Sequence, residues 1–134
     1  MNVGSIFFDS NFHFHDGNDG KKLFIVLGYD KGIVLVVKTT SQPYGRGIVY
    51  GCQPNDRFHN FYLPINSCYL KKNTWVCLDD FYELKQSELL QKRFSGAINH
   101  ICDLTPAITR ELQDCAIISE DLTAKQEIII KSCL

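Results

Sequence analysis

Nowhere in this 134-residue chain does an apolar run reach the roughly 20 residues that a membrane-spanning helix needs, so no membrane association is expected. An excess of basic charge is also missing: 14 Lys and Arg face 15 Asp and Glu, for a formal net charge of -1. Nucleic-acid binding driven by bulk charge is therefore excluded, and any such site has to be a local cluster. The first nine residues lack the basic start and long apolar run of a secretory leader, which predicts a cytoplasmic protein. None of the six cysteines (Cys52, Cys68, Cys77, Cys102, Cys115 and Cys133) falls in a CxxC pair, and most lie in apolar sequence. The expectation is reduced thiols acting as small buried hydrophobes. Internal repeats and low-complexity segments are absent too.

What is present has the length of one domain, 1–134, with an ordinary globular balance of apolar and charged residues. The first half reads as β. Residues 5–9, 23–29, Ile33–Thr40 and 61–63 are short runs rich in Val, Ile, Phe and Tyr, separated by turn residues. Tyr29-Asp30-Lys31-Gly32 predicts a tight antiparallel hairpin, with Gly32 free to take a positive φ. Asp16-Gly17-Asn18-Asp19-Gly20 marks a loop. Residues 41–60 form a second one, with a short strand at 48–50. Residues 74–78 read as a buried strand carrying core Trp75, bent at Asp79-Asp80 and continued over 81–84. After Gln86 the pattern becomes helical: 87–94, a helix capped by Thr105 with Pro106 at its first position, and a last one opened by the capping box Thr123 and Gln126. The β-branched run at 127–134 leaves a strand open there. The fold class is mainly β with C-terminal helices (α+β): a small barrel over 4–84 and a helical extension over 86–134.

Four sequence blocks occur in a recognisable order. Gly4-Ser5-Ile6-Phe7-Phe8-Asp9 opens the chain, Gly20-Lys21-Lys22-Leu23-Phe24-Ile25-Val26-Leu27 leads to Val36-Val37-Lys38-Thr39-Thr40, and Asn73-Thr74-Trp75-Val76-Cys77-Leu78-Asp79-Asp80 comes later. Across about residues 4–90 this resembles the MazF/PemK type II toxins, small SH3-like barrels, a shape shared with CcdB, that cut single-stranded RNA without a metal. The resemblance implies catalytic roles for Lys22 and Thr39, no cofactor, single-stranded mRNA as substrate, a cognate antitoxin as partner and a homodimer. Lys22-Leu23 stands where the family has Arg-Pro. In the family the Arg stabilises a pentavalent phosphorane and assists proton transfer, while the Thr contacts the scissile phosphate. Lysine supplies the charge without the bidentate fork. Asp80 likewise replaces a family Gln. Two other functions stay open: a barrel of this ancestry that binds RNA or a protein without cutting, and a CcdB-like gyrase poison.

Substrate-binding candidates follow from chemistry. Lys21, Lys38 and Thr40 flank the two catalytic candidates. Arg46 and Arg57 are interleaved with Tyr44, Tyr50, Phe58 and Phe61, a mix suited to stacking bases and tracking phosphate, or to a surface loop anchored by core aromatics. His13 and His15 alternate with Phe12 and Phe14, so in an extended segment they share a face; with His59 they are candidates for general base and acid, or are solvated loop residues. His13-x-His15-Asp16 resembles part of a metal site but finds no further ligands, and no metal is expected.

Overall fold

The computed structural model describes residues 2–134, and its centre is one seven-stranded antiparallel sheet. The strands are β1 (Ser5–His13), β2 (Asp19–Asp30), β3 (Ile33–Thr40), β4 (Gly51–Gln53), β5 (Asn60–Leu63), β6 (Thr74–Lys85) and β7 (Ile98–Asp103), ordered β4-β5-β6-β3-β2-β1-β7. The sheet ends at β4 and β7 and does not close. Helices α1 (Gln86–Phe94), α2 (Pro106–Ile117) and α3 (Ala124–Lys131) complete the α+β fold, none of them long and apolar enough to cross a membrane.

Strand alternation sorts the core into two layers. Ile25, Leu27, Leu35 and Val37 face α2 and α3, joining Leu112, Cys115, Ala116, Ile129 and Ile130. Their neighbours Phe24, Val26, Val34 and Val36 face the other way, onto Phe7, Phe12, Tyr82 and Leu89 of α1. Burial on both sides explains why β2 and β3 are apolar without a polar alternate. Gly28 lets α3 sit against β2: a Cβ there would lie 3.0 Å from the Ile129 carbonyl oxygen. The hairpin joining β2 and β3 turns on Lys31 and Gly32, both with positive φ (49° and 80°), pairing Asp30 with Ile33.

Helix starts follow local chemistry. Thr105 accepts from the Ile108 N–H with Pro106 behind it, and Thr123 and Gln126 form a reciprocal capping box. Residues 127–131 are thus helical, not a strand.

Three expectations are corrected and one is given its geometry. Residues 48–50 are not a strand, because the short strand lies at Gly51–Gln53, where each residue has a partner on β5. The expected bend at Asp79 and Asp80 lies within β6, which runs through them, and is taken up as a pairing irregularity, with Val37 opposite Phe81 and Thr39 opposite Val76. Ile98–Asp103, inside the stretch read as helical, is a strand paired with β1. Four cysteines are joined, Cys52 to Cys115 and Cys68 to Cys102, with Cα separations of 5.6 and 6.2 Å that bring their sulfur atoms within bonding reach; Cys77 and Cys133 remain free.

Candidate nucleic-acid interface

A cleft of about 500 Å³ opens where β2, β3 and the segment before β6 come together. Its apolar lining is Phe8, Leu23, Leu70 and Ile101. Its walls carry four lysines, Lys21 and Lys22 from β2 and Lys71 and Lys72 from the link into β6, beside the hydroxyls of Thr39, Thr40, Ser41 and Thr74. Among the described residues, no carboxylate lines it. Lysines gathered at one cleft favour an anionic ligand, and one carrying several phosphates meets several of them.

One rim is a backbone held in an uncommon shape. Asn66, Cys68 and Tyr69 all have left-handed φ (73°, 48° and 60°), a region costing a non-glycine residue about 1–2 kcal/mol. Hydrogen bonds from Asn66 N–H to the Leu70 carbonyl and from Leu70 N–H to the Ser67 carbonyl, both 2.8 Å, hold the turn, and the Cys68–Cys102 link ties it to β7. The result is Tyr69, 87% exposed at the mouth of the cleft. An exposed aromatic ring next to lysines is a stacking platform for an unpaired base. Sequence reasoning missed Tyr69, Lys71 and Lys72, although Tyr69-Leu70-Lys71-Lys72, an aromatic next to a basic pair, was the available signal.

Lys22 and Thr39 both line the cleft. They arrive from opposite faces of the sheet: Lys22 shares the face of Phe24, which lies across from Lys38, whereas Thr39 is on the alternate face. Lys22 is half-buried and, among the described residues, makes no ion pair. Burial pushes its ammonium pKa down; nearby Cys77 opposes the shift, and repulsion from Lys38 and Arg46 adds to it. Thr39 is buried, and its hydroxyl donates to the Leu23 carbonyl at 3.2 Å. The neighbouring Thr40 hydroxyl accepts from Gln42 N–H at 3.1 Å, which leaves its own proton available to a ligand.

Other candidates are held elsewhere. Lys38 pairs with Asp80 at 3.0 Å, and the same carboxylate accepts from Tyr82 at 2.9 Å and bonds His15 Nδ1 at 2.7 Å. The His15 ring stacks on Tyr82 with centroids 3.8 Å apart, so this network pins the β1–β2 loop to β6. Burial disfavours charge on both partners, yet the hydrogen bonds and mutual attraction win: Asp80 is held below the usual carboxylate range and Lys38 above the usual lysine value. His13 pairs with Asp19. His59 Nε2 bonds the Cys115 carbonyl at 2.7 Å. None of these three histidines lines the cleft, which leaves the reading as loop residues held by their own partners rather than that of a base and acid there.

Arg46 and Arg57 flank the Phe58 ring at 5.1 and 5.2 Å, which favours the anchored-loop reading of their aromatic surroundings. The loop they occupy is organised from beneath by Gln53, Asp56 and Asn60. Asp56 accepts from Gly47 N–H and Asn60, both at 2.9 Å, while Gln53 and Trp75 donate to the Gly47 carbonyl at 2.9 and 2.8 Å. The bonds from Gly47 and Asn60 hold Asp56 below the usual carboxylate range. Arg46 still acts on the cleft, through the repulsion it exerts on Lys22.

No family model matches the chain, and no curated protein matches it in sequence.

Proposed function

We propose that the chain is a MazF/PemK-like toxin of a type II toxin–antitoxin system, a metal-independent endoribonuclease that draws single-stranded mRNA into the lysine-lined cleft. The single observation that carries this reading is a cleft with four lysines and no carboxylate, containing Lys22 and Thr39, in a chain whose net charge is -1. The antiparallel run β1-β2-β3-β6-β5 supports an SH3-like barrel as the finer description of the sheet.

The reaction is an in-line transesterification. The ribose 2'-oxygen bonds to its neighbouring phosphorus, its proton passes to a base, the bond to the 5'-oxygen breaks, and that oxygen takes a proton; a 2',3'-cyclic phosphate and a 5'-hydroxyl result. Lys22, with its proton loosened by burial and neighbouring cations, is the group to exchange that proton and to offset charge on the phosphoryl oxygens. Lys21, Lys71 and Lys72 hold the flanking phosphates. Tyr69 stacks a base, and Thr40 donates to a phosphate oxygen. In the cytoplasm an acidic antitoxin segment would occupy the same cleft, because it meets the same charges, and a homodimer would extend the groove.

A second reading, RNA binding without cleavage, is favoured by the engagement of the Thr39 hydroxyl with the Leu23 carbonyl. One experiment separates the two. Purified protein is incubated with mixed-sequence RNA in EDTA beside Lys22→Ala and Thr39→Ala, and product ends are tested for cyclic phosphate. Cleavage abolished in Lys22→Ala is the expected result; intact RNA that is nevertheless retained by the folded protein selects the binding reading, and RNA neither cut nor retained overturns both.

A further inference from the structure

Between β4, the start of β5 and α2, three metal-capable side chains converge that take no part in the proposed cleft. Cys52 lies on β4, His59 immediately precedes β5, and Cys115 lies on the inner face of α2. Their donor atoms all fall within 4.8 Å of one another, and Cys115 Sγ lies 3.4 Å from His59 Nε2. Among the described residues, no other group of three such side chains forms.

That last distance is informative. A tetrahedral zinc ion with Zn–S of about 2.3 Å and Zn–N of about 2.0–2.1 Å separates its sulfur and nitrogen ligands by roughly 3.6 Å. The imidazole already stands at a ligand's spacing from one sulfur. The second sulfur is bonded to the first, so both sulfurs become available as ligands only on reduction. Cys52 is exposed at its edge, and an open hollow lined by Tyr50, Cys52, Glu111 and Asp114 gives reagents a route to it. Cys115 is buried at 2% exposure, which fixes the other end.

We propose that Cys52, His59 and Cys115 are a redox-gated zinc site: closed as a disulfide when oxidised, and a Cys2His ligand set for Zn²⁺ when reduced, with solvent as the fourth ligand. A small dithiol of the thioredoxin class supplies two electrons and two protons to the disulfide and is itself oxidised to a disulfide. The two thiols so formed bind Zn²⁺ as thiolates and release two protons. His59 coordinates through Nε2 as neutral imidazole, giving up its bond to the Cys115 carbonyl and carrying its proton on Nδ1. Two soft thiolates and an imidazole select Zn²⁺ over Mg²⁺ or Ca²⁺. In either form the site ties β4 and β5 to α2, so the tie survives a change of redox state. The cleft lies elsewhere in the fold, and the test does not depend on RNA cleavage.

The test titrates full-length protein with Co²⁺ as a spectroscopic probe and then displaces it with Zn²⁺, before and after reduction by dithiothreitol and its removal without oxygen. The expected result is one Co²⁺ per chain in the reduced protein only, with thiolate-to-cobalt absorption. Cys52→Ser/Cys115→Ser abolishes that absorption, and Cys68→Ser/Cys102→Ser leaves it intact. His59→Gln, which keeps both sulfurs, weakens the affinity by at least about tenfold, the loss expected on removing a ligand or even its supporting hydrogen bond. If the double serine variant fails to fold, as judged by near-ultraviolet dichroism of Trp75, His59→Gln decides the question. Equal uptake by oxidised and reduced protein, uptake unchanged in His59→Gln, or no uptake by reduced protein each overturns the proposal.

Discussion

Lys22 and Lys38 lie on neighbouring strands and share one face of the sheet, yet their surroundings hold their protons in opposite ways. Around Lys38 the protein supplies its own counter-charge: Asp80, itself fixed by Tyr82 and His15, compensates the ammonium and raises its pKa. Around Lys22 there is no such partner among the described residues; burial and two neighbouring cations lower its pKa instead. One region is an internally satisfied clasp and the other an unsatisfied field. The proposed function rests on this difference: the half-buried Lys38 is compensated from within, whereas Lys21, Lys22, Lys71 and Lys72 border a cleft that no described carboxylate lines.

The comparison breaks most sharply by removing one lysine at a time. Lys22→Ala is expected to lower RNA cleavage by about 100- to 1,000-fold, the usual cost of losing a preorganised charge-stabilising group, whereas Lys38→Ala should cost less than about tenfold because its charge is already matched. Initial rates on a labelled oligonucleotide measure both. Equal losses would mean that the clasp and the cleft form one site.

Next in size is affinity. Lys71→Ala/Lys72→Ala should weaken RNA binding about tenfold at moderate salt and flatten the plot of log affinity against log salt by about 0.7 for each phosphate that is no longer neutralised. Fluorescence anisotropy across several salt concentrations gives the slope, and an unchanged slope would take the loop before β6 out of the interface.

The clasp is expected to act on stability. Asp80→Asn should cost about 1 kcal/mol in urea unfolding at pH 7, a figure kept small because both partners retain solvent access. Its pH dependence has a defined sign. The folded-state pKa of Asp80 is depressed, so its contribution is present above the unfolded value of about 3.9 and is lost as pH falls through the lower folded value. The stability difference between wild type and Asp80→Asn should therefore shrink as pH drops below about 4. A constant difference down to about pH 3 would remove the ion pair from the account.

The smallest effect expected is on catalysis by the clasp variant. Asp80→Asn should leave the cleavage rate at neutral pH within about threefold of wild type, since Asp80 does not line the cleft. A large change would show that the β1–β2 loop, held by His15 on Tyr82, reaches the substrate.

Much of the fold was legible locally. The Lys31-Gly32 turn, the Ile33–Thr40 strand, Pro106 behind Thr105 and the Thr123–Gln126 capping box depend on residues within a few positions of one another, and each appears as read. Strand β7 was not legible because only Ile98 and Cys102 of its six residues are buried; what makes it a strand is the edge of β1, from the opposite end of the chain. Of the candidate site, Lys21, Lys22, Thr39 and Thr40 were placed in one cleft, whereas Lys38 and the histidines went to partners that no local pattern announces.

By itself, then, the sequence determined most of the strands and helices, their turns and caps, and the local concentration of lysine on β2, because side-chain periodicity and backbone preference act over a few residues. Only the tertiary structure decided which charges are neutralised and which cysteines meet. Asp80 reaches Lys38 across 42 positions and Cys115 reaches Cys52 across 63, and such encounters are fixed by how the strands register and which face of α2 packs on them. Charge and redox chemistry depend on distance in space, and that distance is set by the packed core.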